Sequence, residues 1–297
     1  PPFPFLPPSS LSVMSAASAR PWLSPIVDWA DARRMGEYGL ASLFISCLIY
    51  VLTLSLARTT PWWRNLSGWQ RIAFGADAVS LLHALIATPM GVRALETIRG
   101  EHGISLDCPG TGSLATAPSP HVLVAVCGIT CGTFVFDCLL LILYPAECQT
   151  RFAAAGGSWV MWLHHIISII VWPYCVLTSR AAVFVAWMIT TEGSNVGQNA
   201  YSLAGAMGLE GKPAHLGLGI GWLLSFLCVR MLPAPMIVGS YIRLFILQDC
   251  GLAVLDRLIG LVTIPIPLLL NAVWFWEMLK GAATALGKGS NSAVKHE

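Results

Sequence analysis

Ionisable and amide side chains are scarce in this sequence, and the few that fall inside its apolar runs are chemically competent. Asp77 and His83 lie in one run, Asp137 in the next, and His164 and His165 in a third. Glu192, Ser194, Asn195 and Asn199 share a fourth run, Arg230 sits in a fifth and Asn271 in a sixth. The adjacent histidines are the sharpest signal. A neutral imidazole in a low-dielectric surrounding suits proton transfer or nucleophilic attack on an acyl group. Asp137 or Glu192 would orient it or stabilise its charged form, with His83 as a second polar wall. Adjacent residues on a helix point about 100° apart, and no histidine follows at i+4, so no metal site is expected. The competing reading makes one histidine a bridge to a neighbouring helix.

Helical spacing says which way these groups face. Glu192, Asn195 and Asn199 recur at i, i+3 and i+7 and form one stripe, and Ser80 with His83, or His164 with Ser168, shares a face. A charge at the bilayer centre costs on the order of 3 kcal/mol or more, so such stripes turn toward the bundle interior or water. The plain alternative is hydrogen-bonded packing between helices, preferred here for Asn271, Ser80 and Asn199. Asp77, near the start of its run, is expected at the interface. For Arg230, snorkelling to a headgroup and binding an anionic lipid stand level.

The elements that must position these residues are membrane spans. Of 297 residues 56% are hydrophobic and only 11% charged, less than half the roughly one quarter usual in soluble domains. Mean hydropathy is +0.69, and several runs reach the ~20 residues that cross a bilayer. The expected fold is an all-α polytopic membrane protein with about seven transmembrane helices. They cover approximately 37–57, 69–88, 121–144, 159–178, 181–204, 216–238 and 255–278. Six of them, the second to the seventh, enclose a polar chamber, and the first lies outside it. Pro265 and Pro267 should kink the last span. Residues 1–36 are expected to be extended or partly disordered, 281–297 to be a disordered polar tail, and 90–120 to be loop.

Charge excludes some classes and leaves orientation open. With 17 basic and 15 acidic residues and no basic run, no nucleic-acid surface is present. Basic residues split eight against eight across the two faces, so the positive-inside rule does not orient the chain. Most of the nine cysteines lie in apolar runs, where Cys is a small hydrophobe. Pairing among Cys108, Cys148 and Cys250 stays open. Lysine is absent from the last span and no internal repeat is visible, which argues against retinal proteins and repeat-built transporters.

Several segments together resemble a TLC domain, the membrane module shared by Lag-type ceramide synthases, translocating-chain-associating proteins and smaller TLC-domain proteins. Val79-Ser80-Leu81-Leu82-His83-Ala84-Leu85 is similar to the family's Ser-x-x-His-Ala pattern, and Phe134 to Leu141 carries Asp137 at its acidic position. Trp162 to Ser168 resembles its double-His segment, and Leu270-Asn271-Ala272-Val273-Trp274-Phe275 its Asn-x-x-Trp-Phe ending, which brings Trp274 into the candidate set. The resemblance covers 69–280. The His-Asp-x-x-Asp segment of ceramide synthases is absent, and Thr191 to Asn199 is closer to the smaller members. The resemblance implies lipid metabolism or handling, most often in the endoplasmic reticulum or a related endomembrane.

Two functions follow. The first is lipid acyl transfer by His164, His165, Asp137 and Glu192, with acyl-CoA as a candidate substrate and no permanently bound cofactor. The second is non-catalytic lipid binding or regulation of membrane composition. In it His83, Ser194, Asn195, Asn199, Arg230, Asn271 and Trp274 line a headgroup chamber. Membrane lipids are the expected partners in both, and the sequence leaves enzymatic activity undecided.

Overall fold

The structure, a computed structural model, describes residues 27–102, 117–153, 156–247 and 254–293. Within them every regular element is helical. Helix α1 (Trp29–Ala57) starts inside the segment expected to be extended, because Asp28 caps it: Ala30 N–H donates to Asp28 Oδ1 at 2.8 Å. Asp31 adds a favourable charge to its first turn. A short 3₁₀ turn, Pro61–Asn65, leads into α2 (Gly68–His102). This helix passes through Pro89 and continues well into the expected loop. Ala94 and Ile98 explain the extension, since both are buried against Leu123, Val126 and Val176.

Next come α3 (His121–Leu143), the short α4 (Pro145–Arg151) and α5 (Ser158–Leu177). The expected fifth span is broken into α6 (Ala182–Thr190) and α7 (Gly193–Ala204). The break at Thr191-Glu192 has a local cause. Thr191 Oγ1 donates to Met188 O at 2.7 Å and Ser194 Oγ to Thr191 O at 3.0 Å, so side chains compete for carbonyls that an unbroken helix would use. Helix α8 (Pro213–Phe226) runs on through a wide π-type turn, Leu227–Met231, before α9 (Ala234–Tyr241). The last pair is α10 (Val254–Thr263) and α11 (Pro265–Ala293). The helix is interrupted only at Ile264, just before Pro265, and α11 continues into the expected tail.

Six helical stretches among the described residues are long and apolar enough to cross a membrane: Trp29–Ala57, Gly68–Glu101, His121–Leu143, Ser158–Leu177, Pro213–Leu244 and Val254–Thr284. The broken α6–α7 pair packs against α2 and α8 alongside them. The chain is an all-α polytopic membrane protein.

Packing separates α1 from the polar interior. A Cβ on Gly128 would strike the carbonyl of Met35, and one on Gly132 the carbonyl of Gly39. The backbones of α1 and α3 therefore touch through a Gly-x-x-x-Gly seam. Ser42 Oγ closes it, donating to Ile129 O at 2.8 Å. Helices α2, α3, α5 and α6 bury the main apolar cluster, and the polar side chains of α2, α3 and α5 gather beside it.

Candidate functional site

Helices α2 and α7 run antiparallel and share a polar seam. Asn199 Nδ2 donates to Ser80 Oγ at 2.9 Å, and one turn further Ser202 Oγ donates to Asp77 Oδ2 at 2.5 Å. Asp77 also accepts from the Arg151 guanidinium of α4. At 5% exposure Asp77 is enclosed by protein, between its partners on α4 and α7. The turn at Tyr144 folds α4 back over the chamber and delivers the cation, without which a buried carboxylate would be unaffordable. Cys148 anchors that fold: its thiol donates to Leu140 O at 3.6 Å, and burial pushes the thiol pKa up. Cys148 is a free thiol; Cys108 and Cys250 lie outside the described residues.

Arg230 faces inward, as a chamber-lining residue does, and does not snorkel to the bilayer surface. Its Nε donates to Ser194 Oγ at 2.7 Å, Nη1 to Asn271 Oδ1 at 3.0 Å and Nη2 to Asn195 Oδ1 at 3.2 Å. The guanidinium lies 5.1 Å from the Phe226 ring centre. Asn195 Nδ2 in turn donates to Glu192 Oε2 at 2.7 Å, so one amide links the buried cation to the buried acid. The wide turn Leu227–Met231 holds Arg230 itself; an extra residue per turn re-aims side chains relative to a regular helix.

The histidines meet around Phe134. That ring stacks on His165 at 4.7 Å between centres and lies 5.8 Å from His164 and 6.3 Å from His83. His83 Nε2 is 3.1 Å from Thr130 Oγ1, and its Nδ1 is 3.9 Å from Glu192 Oε2. His165 Nε2 is 3.7 Å from Asp137 Oδ2. Both imidazole–carboxylate separations exceed a hydrogen bond. His165 Nδ1 is buried and has no hydrogen-bond partner. His164, half-buried, is within electrostatic reach of both Glu192 and Arg230.

The structure thus brings His83, His164, His165, Asp137 and Glu192 to one side of the chamber. Ser194, Asn195 and Asn271 gather on Arg230, and Asn199 belongs to the α2–α7 seam. Trp274 is half-buried on α11, one turn beyond Asn271 and next to Phe275, which stacks on Phe226 at 6.1 Å. Among the described residues, no group of three or more His, Cys, Asp or Glu could hold a metal ion. Chemically, the histidine side offers two carboxylates and three imidazoles, with His165 Nδ1 buried and unpartnered, a set suited to moving protons out of contact with water.

Sequence reasoning passed over Thr130, Arg151 and Ser202. Arg151 counted only as a loop charge, and its signal was the Pro145 that starts a helix just before it. Thr130 and Ser202 carry no periodic signal, since a lone hydroxyl in an apolar run commonly bonds its own helix.

The family model for the TLC domain matches residues 73–280, more than half of the chain. No curated protein and no solved structure matches. The matched stretch begins within α2 and ends within α11, so it contains every residue of the chamber and leaves α1 outside. This membrane protein belongs to the TLC-domain family.

Proposed function

We propose that the chamber handles a membrane lipid and transfers an acyl group to its amine or hydroxyl, in the endoplasmic reticulum or a related endomembrane. The observation that carries this reading is the unpartnered, buried Nδ1 of His165. With Nε2–H turned toward Asp137, Nδ1 bears the lone pair. It takes the proton of the lipid amine or hydroxyl as that atom attacks the thioester carbonyl of an acyl-CoA. Collapse of the tetrahedral intermediate breaks the carbon–sulfur bond, and the departing thiolate takes the proton back from His165. The Asp137 carboxylate stabilises the transient imidazolium. Its 3.7 Å separation is the looseness common in substrate-free sites, where such contacts tighten on binding.

The same two long imidazole–carboxylate separations favour a second reading, a non-catalytic chamber that holds a lipid and regulates membrane composition. Transfer of a labelled acyl chain from acyl-CoA to endogenous lipid, compared between wild type and His165→Ala, decides between them. Loss of product in the variant with unchanged folded yield supports catalysis. Equal product in both sinks it, and tightly co-purifying lipid without product in either favours binding.

A further inference from the structure

Three polar side chains around the chamber keep exposed surface and make no hydrogen bond among the described residues. Asp137 on α3 has a side chain 25% exposed, and His165 Nε2 comes no closer to it than 3.7 Å. His164 on α5 is partly exposed, with only the rings of Phe134 and His165 against it. Gln198 on α7 is exposed, an amide inside a run that crosses the bilayer. His83, His165 and Glu192, by contrast, are enclosed.

The three stand at one level. Six residues separate Gln198 from the end of α7 at Ala204, Asp137 from the end of α3 at Leu143, and His164 from the start of α5 at Ser158. These helix ends share the face of the bundle that carries α4, because successive spans alternate in direction. At the helical rise per residue the level lies roughly 9 Å in, within a leaflet of about 15 Å. Hydrocarbon offers a carboxylate, an imidazole or an amide nothing to bond, so this level meets water or a polar ligand.

The period of α7 aims Gln198 at the same space. It falls between Asn195, which bonds Glu192 and Arg230, and Ser202, which bonds Asp77. The contact with α8 is made by its neighbour Gly197, where a Cβ would strike the Trp222 backbone. Gln198 therefore turns away from α8, toward the side on which α7 is open. Among the described residues the exposed charge of that face is chiefly basic. Arg58, Arg64 and Lys212 stand against Glu210, while Lys280 pairs with Glu277.

We infer that the chamber opens to water on the α4 face through a mouth at Gln198, and that the mouth takes the amide-bearing arm of the acyl donor. A carboxamide donates and accepts at once, which is what an amide in the arm requires. Coenzyme A carries two such amides between its sulfur and its phosphates, on an arm at least as long as three extended residues, about 10 Å. With the thioester at His165, that length brings the phosphates out to the face that holds the exposed cations. The identity of the occupant rests on the acyl-transfer reading; the opening does not.

The test uses the full chain carrying Gln198→Cys in nanodiscs, with a sulfonated maleimide that does not enter lipid and mass-spectrometric mapping of the labelled peptides. Leu163→Cys, exposed at nearly the same depth on α5, is the lipid-facing reference. Labelling at position 198 is expected at least tenfold faster than at position 163. Saturating desulfo-coenzyme A, which has the arm and the phosphates but no thiol, should slow it at least fivefold, and a nucleotide lacking the arm should not. Labelling no faster than at position 163, no protection by desulfo-coenzyme A, or equal protection by the armless nucleotide would each overturn the inference. In wild type, carbethoxylation of His164 should be slowed by the same ligand; an unchanged rate overturns the inference, and this measurement decides if the variant does not fold. Desulfo-coenzyme A has no acyl group to transfer, so protection in a protein that transfers nothing sinks the catalytic reading and leaves the mouth standing.

Discussion

Arg230 and His165 are enclosed to a similar degree, 8% and 4% exposed, yet their hydrogen bonding is opposite. Arg230 spends Nε, Nη1 and Nη2 on Ser194, Asn271 and Asn195, tying α7 and α11 to the turn after α8. His165 approaches Asp137 without a hydrogen bond and keeps Nδ1 buried and unpartnered. A saturated polar group holds a bundle together. An unsaturated one lowers stability, since a buried polar atom without a partner costs about 1–3 kcal/mol, and it has an atom left over for a substrate. Burial alone would not distinguish the two.

The comparison can be pressed from its stabilising side first. Asp77→Ala removes the carboxylate that Arg151 and Ser202 share. Removing one partner of a buried pair should lower stability by about 3–5 kcal/mol, seen as a large drop in the thermal aggregation midpoint in detergent. The double variant with Arg151→Met should recover part of that loss; an Asp77→Ala protein as stable as wild type would break the assignment. Close in size, Arg230→Met deletes three hydrogen bonds while keeping much of the side-chain volume. At about 1.5–3 kcal/mol for each bond to a charged group, partly offset by removing a buried cation, the midpoint should fall by an amount comparable to that for Asp77→Ala.

On the other side of the comparison, His165→Ala gives up no hydrogen bond, and loses its ring contacts with Phe134 and His164. Its stability loss should be the smaller, while acyl transfer falls by about 10²-fold or more. A large fall in the midpoint with transfer intact would reverse the roles assigned to the two residues. Smallest in stability is Asp137→Asn, which keeps shape but removes the charge facing the ring. It should lower kcat at unchanged KM; a change confined to KM would make Asp137 a lipid contact instead of a positioning residue.

Much of this arrangement is legible in the sequence, though unevenly. The pairing of Asn195 with Glu192 fits helical period, and the interruption before α11 fits Pro265. The partner of Asp77 was not legible, because distance along its own helix says nothing of α4, which supplies Arg151. Arg230 was placed among the chamber residues without its partners, because residues 194, 195 and 271 lie far away in the chain. The break at Thr191-Glu192 escaped a hydropathy reading because Thr and Ser side chains bond to carbonyls one turn away, a short-range competition that average hydrophobicity does not register. The α1–α3 seam was readable in principle from Gly128 and Gly132, four residues apart, but only a partner helix gives that spacing meaning.

By itself the sequence determined the solvent in which this protein folds and the class of its elements, because apolar length and helical period are local properties of the chain. It also determined that polar groups must turn inward, since lipid offers them nothing to bond. Only the tertiary structure decided which of those groups are used up in holding helices together and which keep an atom free. Saturation is a property of pairs brought together across the bundle, and Asn271 reaching Arg230 or Arg151 reaching Asp77 depends on where helices dock, which no local pattern encodes.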